Sequence, residues 1–525
     1  KLARRGGNIQ YAELKKFDRY NGEPVVLIDS SHEQLGYRFF YNNQKINTQN
    51  LYFEPSASED VMVTGADSAS VTMRMKLDED RYLEQEYTLQ GDDYMVDYDL
   101  DIYGFNDIIP RNVRYLNLDW KAKLQQQEES VSRERNRSGV IFKYFNDEVD
   151  WLGERSSGSR DIASSLKWVS FKQQFFSQTL IADDKFSRGV VESRQNEDMT
   201  FVEADKASLT IPYNHNNLEH FGMQFYIGPN HYQTLANKGL QLEDQLSLGW
   251  GPIGWINKWV IIPVFNGLDN FIPSYGVIII ILTLLIKIAL SPLTYKSFMS
   301  QARMRALKPE LDELKEKHGN DMQKMQMEQM KLYRKAGINP MGGCLPMLLQ
   351  LPFLIAMFHF YPSSIELRQE SFLWADDLST YDSIFTFPGN FAIPFYGDHV
   401  SLFTLLMAGS TMLYSWYNQK MTPTSNDQMG QQMKIMTYVM PFFIMFIFNG
   451  YAAGLSCYYF FYNIFSFLQT YGFKQFVSED KVRAKIEENK KKPAKKSSFQ
   501  QRLEEMAKQQ QAKQQSPQVA KKNKK

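Results

Sequence analysis

A single lysine set into an apolar run does most to constrain what this chain can become. From Phe271 to Leu290 the sequence is nearly free of polar side chains, and Lys287 interrupts it near its end. A run of about 20 apolar residues is long enough to cross a bilayer as a helix. An ammonium deep in hydrocarbon costs roughly 2.5–3.5 kcal/mol on insertion scales, so such a group normally faces a partner or a wet cavity. Thr283 lies one turn back on the same face, and Gly276 and Ile280 continue the stripe. Near the helix end Lys287 also has the option of snorkelling to the headgroups. The sharper expectation is a polar groove inside the membrane that receives a polar or anionic segment.

At 525 residues the chain holds more than one domain. Its formal net charge of zero hides a division: an acidic-to-neutral first half, an apolar middle and a basic tail. The two cysteines, Cys344 and Cys457, lie in apolar segments without a Cys/His cluster, which supports neither a disulfide framework nor a zinc site. No cofactor or metal is expected. The sequence begins with Lys1 and shows no signal peptide, so an export signal or signal anchor is expected upstream.

Residues 1–248 read as strands. Val25–Asp29, Tyr37–Tyr41, Val71–Leu77, Tyr82–Leu89 and Tyr94–Tyr103 are rich in β-branched and aromatic residues, several alternate with polar ones, and turns such as Gly91-Asp92-Asp93 separate them. Later candidates are Tyr115–Leu124, Val140–Phe145, Leu166–Ile181, Gly189–Ser193 and Ser208–Pro212. Many short strands with little helix favour a large antiparallel β-sandwich. Chemistry is sparse here. His215, Glu219 and His220 lie close together without metal-ligand spacing and read as solvated loop residues, and there is no nucleophile elbow or phosphate loop.

Residues 249–269 carry Trp250, Trp255 and Trp259 and are broken by Pro263, which suits an amphipathic helix lying in the membrane interface. Five spans are expected within 270–473, at about 271–290, 342–360, 400–417, 435–448 and 452–473. The loop Thr294–Asn339 holds Lys296, Arg303, Arg305, Lys308, Lys315, Lys317, Lys324, Lys331, Arg334 and Lys335, whereas Arg368 is the one basic residue of Pro362–His399. The first loop is therefore cytoplasmic and the second outside; five spans then put the β domain outside and the tail in the cytoplasm. Apolar residues recurring three and four apart make 294–339 a helical hairpin. Met299, Met327 and Met330 are its candidates for an exposed, adaptable contact surface toward substrate. The tail, 474–525, is rich in Gln, Lys and Ala and is expected to be disordered, or helical in patches near Phe499–Gln511. Lys490, Lys491, Lys492, Lys495 and Lys496 form a cluster fit to contact anionic lipid or ribosomal RNA.

Three segments together resemble the YidC/Oxa/Alb membrane protein insertases. They are Ile278–Thr294, Asn339-Pro-Met-Gly-Gly-Cys-Leu-Pro346 through Pro352, and Gly454-Leu-Ser-Cys-Tyr-Tyr459 through Asn463. The β domain is similar to the large periplasmic domain of the Gram-negative type, including Trp168–Ile181 and Phe225–Pro229. The resemblance implies an α+β membrane protein: a periplasmic β-sandwich followed by a five-helix transmembrane core with a cytoplasmic helical hairpin, in the cell inner membrane. In the family the first span precedes the β domain. It also implies a groove open to lipid and cytoplasm, with Thr283 and Tyr459 at substrate-contacting positions and Gln350 and Asn463 lining the same cavity. Where the family usually has Arg, this chain has Lys287, which keeps the charge and loses the bidentate fork.

The expected activity makes no bond and needs no enzyme chemistry. A nascent hydrophobic segment arrives, its polar flank enters the groove where Lys287 lowers the desolvation cost, and its apolar face moves into lipid. Implied partners are nascent membrane proteins, the Sec translocon (SecYEG, SecDF), the ribosome through the basic tail, and the bilayer itself; no small-molecule substrate is expected. The competing readings are a polytopic transporter with Lys287 as substrate counter-ion, for which inverted repeats are wanting, and an envelope carbohydrate-processing enzyme, for which a paired acid and base in the β domain is wanting.

Overall fold

The computed structural model describes residues 1–41, 44–57, 59–152, 157–195, 201–318, 321–338, 345–389, 391–421 and 428–491. These residues form two compact units. The first comprises residues 1–278, 355–401 and 450–455; the second comprises 279–354, 402–449 and the chain from 456 onward.

The first unit is built on two large antiparallel sheets. The nine-stranded sheet runs, in spatial order, 149–152, 139–144, 166–172, 176–186, 218–229, 95–103, 82–90, 68–76 and 54–55. The six-stranded sheet runs 158–162, 188–195, 201–212, 115–125, 33–41 and 44–47. One apolar core draws on both sheets. Trp120 of the smaller sheet stacks on Phe171 of the larger at 3.8 Å between ring centroids, and the hydroxyls of Tyr37 and Tyr98 meet at 2.6 Å across the sandwich. Many of the buried polar groups there are hydrogen-bonded, as a dry interior favours, although the Asp205 carboxylate oxygens and the Tyr213 hydroxyl have no hydrogen-bond partner among the described residues.

The segment expected as one strand, Leu166–Ile181, is two strands with a turn at Gln173–Phe175. The buried Asn230 side chain makes that turn by donating to the carbonyls of Gln173 at 2.9 Å and Phe176 at 3.1 Å. His215, Glu219 and His220 do not converge. Glu219 is buried and accepts from the amides of Asn214 and Asn216, His220 lies in the strand Leu218–Pro229 against Asp101, and His215 meets the carbonyl of Val113. Among the described residues no group of three or more His, Cys, Asp or Glu is placed to hold a metal.

Pro263 does not break the helical run after the sandwich. Pro252–Ile256, a π turn over Asn257–Ile261 and Ile262–Asp269 are continuous, the wider turn absorbing the donor that proline lacks. Ile253, Ile256, Ile261 and Phe265 are buried while Trp250, Trp255 and Trp259 are exposed. The segment 361–401 is folded onto the sandwich. Arg368 is buried and paired with Glu128 at 2.8 Å, Arg137 donates to Ser363, and Gln174 donates to the carbonyl of Pro362.

The helical region contains α1 (Tyr275–Ala289), α2 (Ser291–Ala306), α3 (Lys308–His318), α4 (Met322–Lys335), α5 (Leu345–Phe360), α6 (Leu402–Met421), α7 (Gln428–Phe448), α8 (Ala453–Phe476) and α9 (Glu479–Lys491). Among the described residues no single helix is both long and apolar enough to cross a membrane; the pair α1 and α2, bent by 59° at their junction, is so only together. Pro292 at the start of α2 supplies the bend, because its ring cannot continue the ladder of α1.

The stretch expected as disordered from Lys474 onward starts instead as helix. α8 runs to Phe476, and α9 buries Val482 and Ile486 in a small core with Leu307, Tyr333, Ala336 and Ile338. Two ion pairs hold it, Arg305 to Glu479 at 3.2 Å and Lys490 to Glu310 at 2.6 Å.

Candidate functional site

The polar residues of α8 recur as Tyr459, Tyr462, Asn463, Ser466 and Thr470, at spacings of three and four that put them along one face. Lys287 and Gln350, which the sequence singled out on other helices, meet this stripe.

Lys287 of α1 is buried, with 4% of its surface exposed. Its ammonium donates to the hydroxyl of Ser466 and sits over the ring of Tyr462, 3.4 Å from the centroid. It does not snorkel along its own helix; the side chain crosses to α8. Ser466 is held in place by donating to the carbonyl of Tyr462 at 2.6 Å, and Gln469 reaches the carbonyl of Lys287 at 3.5 Å. The ring face supplies the negative quadrupole that an ammonium without a carboxylate needs.

From there the polar path continues. The Tyr462 hydroxyl donates to Gln350 Oε1 on α5 at 3.1 Å, and Gln350 Nε2 is buried with no hydrogen-bond partner among the described residues. Tyr459 donates to the carbonyl of Leu354 on α5 at 3.1 Å. Asn463 turns to α6, donating to Ser410 at 3.1 Å and Thr411 at 2.7 Å. Thr283 is fully buried and returns its hydroxyl to the carbonyl of Ile279, one turn back, at 2.6 Å. Lys287, Gln350, Tyr459 and Asn463 are thus brought to one helix, whereas Thr283 is spent on its own helix.

Tyr462 and Ser466 are the residues that sequence reasoning missed. The signal was present: they lie three residues beyond Tyr459 and Asn463, on the same face. Neither stands out in an aromatic-rich helix until the lysine is seen pointing at them. The motif Asn339–Cys344 lies outside the described residues, as do Lys492, Lys495 and Lys496. Lys490 is engaged with Glu310 and Glu487, and Lys491 ends α9. Of the methionines, Met327 and Met330 are exposed on α4, but Met299 is half-buried against the core that α9 completes, so its expected exposure is corrected.

Two family descriptions match the chain, "YidC periplasmic domain" over residues 1–262 and "60Kd inner membrane protein" over residues 267–481. A membrane protein insertase YidC from Parabacteroides distasonis is 41% identical over 99% of this chain and 83% of its own length. Those from Amoebophilus asiaticus and Bacteroides fragilis are 40% and 37% identical, each over 97% of this chain and 85% and 82% of their own lengths. A solved galactose mutarotase related enzyme from Lactobacillus acidophilus overlaps 43% of this chain and 93% of its own at a TM-score of 0.27 and 8% identity, too loose to argue from. The transporter and carbohydrate-enzyme readings are set aside. The chain belongs to the YidC family of membrane protein insertases, non-enzymatic proteins of the inner membrane with a periplasmic N-terminal domain that act on nascent membrane proteins.

Proposed function

We propose that α1, α5, α6, α7 and α8 cross the inner membrane and that Lys287, Thr283, Gln350, Tyr459 and Asn463 line a polar groove among them. The observation that carries this reading is the inward turn of Lys287 onto the polar stripe of α8. An ammonium whose partners among the described residues are a hydroxyl and an aromatic face keeps a positive charge without a paired carboxylate there, and that charge is what an acidic flank of a substrate meets.

The sequence of events follows from solvation. A nascent segment docks near α3 and α4, where Met327 and Met330 offer soft apolar contact. Its hydrophilic flank enters the groove, where the field of Lys287 and the unpaired Gln350 amide replace part of its lost hydration. The apolar part then partitions into lipid, at about 25 cal/mol per Å² of apolar surface removed from water. The membrane potential adds work on any charge that crosses. No nucleotide is needed.

Large apolar side chains exposed on these helices, among them Leu348, Leu413, Phe443 and Leu468, suit a lipid-facing surface. The excess of Lys and Arg in 294–339 supports a cytoplasmic α2–α4 region and tail, opposite the periplasmic domain. Working partners under this reading are the Sec translocon and the ribosome, the latter met by the basic tail.

The test is site-specific crosslinking in ribosome-bound nascent-chain complexes, from probes at positions 283 and 459. Crosslinks to a short hydrophobic nascent segment support the groove; none from either position, with crosslinks from an outer face such as position 443, would remove it.

A further inference from the structure

The segment 383–397 carries no charged residue over 15 positions, yet it lies in a loop of the unit that contains the periplasmic domain. It is a hairpin. Phe385 pairs with Val400 and Thr386 with His399 at its root, and the Phe387 amide donates to the carbonyl of Asp398 at 2.8 Å. The root is pinned by Tyr381 stacked on His399 at 3.7 Å and by Ser401 donating to Asp382 at 2.5 Å.

The tip is built the wrong way round for water. Ile384 and Phe385 are exposed at the root, Phe391 is exposed beyond it, and Phe395 is 96% exposed. Phe395 also holds φ at +66°, in the left-handed region that a bulky side chain disfavours. The tight turn that sets this angle is closed by the Ile393 amide on the carbonyl of Gly397 and by the reverse bond, both at 2.9 Å. A backbone held in a disfavoured conformation that delivers an uncovered aromatic ring outward is the kind of outlier that marks a contact surface. The strand His399–Val400 ends one residue before α6 begins at Leu402, so a single residue of chain links the hairpin to an apolar helix.

We propose that the exposed Phe391 and Phe395 of this loop dip into the periplasm-side leaflet of the bilayer, as an aromatic anchor in the chain just before α6. The proposal rests on the reading of α6 as a membrane span. Lipid is the occupant the chemistry selects. The stretch 383–397 has no charge to pair with a protein partner, exposed Phe rings suit burial at the headgroup–acyl boundary, and the chain runs directly on into α6.

The test uses the full chain with Cys344 and Cys457 replaced by alanine and a single cysteine carrying an environment-sensitive fluorophore. The positions are Phe395→Cys, Phe391→Cys as a second tip site, Leu413→Cys on α6 and Met62→Cys on the sandwich. Each is reconstituted in phosphatidylethanolamine–phosphatidylglycerol vesicles with and without lipid spin-labelled high on the acyl chain. Both tip positions are expected to lose roughly half their emission to the spin-labelled lipid and to resist iodide, while position 62 shows the reverse. Tip sites quenched by iodide and not by lipid, with position 413 quenched by lipid, overturn the anchor and leave the span standing. If position 413 is also untouched by lipid, both fall.

Discussion

The ammonium of Lys287 lies 3.4 Å from the centre of the Tyr462 ring, and the hydroxyl of that same tyrosine donates to Gln350 at 3.1 Å. One aromatic side chain thereby ties a charge on α1 to an amide on α5. A cation–π contact in a desolvated setting is worth about 2 kcal/mol, which offsets part of the cost of turning the lysine inward.

Removing the charge should be felt by some substrates and not others. Lys287→Ala is expected to lower insertion of a substrate with an acidic translocated flank roughly tenfold, about 1.4 kcal/mol, while Lys287→Arg retains it. Insertion into proteoliposomes, scored by protease protection, is the measurement. Equal activity of the alanine variant with such a substrate would count against a role for charge.

Tyr462 separates the two contacts it makes. Tyr462→Phe keeps the ring beneath Lys287 and loses the Gln350 bond; Tyr462→Leu loses both. Insertion of the acidic-flank substrate should fall in the order wild type, Phe, Leu, with the larger step at leucine. A larger step at phenylalanine would transfer the role to the hydroxyl.

The pair Arg368–Glu128 joins segment 361–401 to the sandwich. Burial pushes the Glu128 carboxyl up to about 7 and the neighbouring Glu134 up to about 8, with Arg368 pulling back on both. Arg368→Ala leaves two buried carboxyls without their cation, and breaking a buried pair in this way costs about 3–5 kcal/mol. Protease cleavage within 363–382 should accelerate sharply, whereas Arg368→Lys should restore most of the protection.

Glu33 sets a pH dependence. Its half-buried carboxyl accepts from the Trp120 indole at 2.8 Å, and desolvation raises it from 4.5 to about 8. The folded state therefore keeps a proton that the unfolded chain releases above pH 4.5. Stability from this group falls as pH rises from about 4.5 to 8 by up to 1.4 kcal/mol per unit, and levels off beyond. Melting of the wild type and of Glu33→Gln between pH 5 and 8.5 checks it. The glutamine variant should show a shallower decline; parallel curves would sink the assignment.

The helix α9 should come away as a unit. Ile486→Asp puts a charge into the core shared with Leu307 and Tyr333 and should release the helix, at a cost of several kcal/mol. Hydrogen exchange over 479–491 should then rise to that of free peptide, with α1 and α8 unchanged.

The elements legible in the chain were those whose side chains declare their surroundings locally. Strands such as Tyr82–Gln90 alternate between two faces, and the sheet partner only confirms the period. The strand Leu218–Pro229 was not legible, although it sits in the middle of the nine-stranded sheet. Its Gly222 and Gly228 look like breaks. They are there because a Cβ at 222 would run into Asp183 and one at 228 would come within 2.8 Å of Tyr94. Such glycines answer to neighbours distant in sequence, and a single segment carries no trace of them.

The sequence by itself determined the division into a sheet-rich half, an apolar helical half and a basic end, because periodicity and hydropathy are properties of neighbouring residues. It also singled out Lys287, since a charge in an apolar run is anomalous whatever surrounds it. Only the tertiary structure decided where that lysine points, which hydroxyl and which ring receive it, that Thr283 bonds to its own helix, and that part of the tail is a packed helix. Those outcomes depend on which faces of separate helices meet, and no local pattern encodes the meeting.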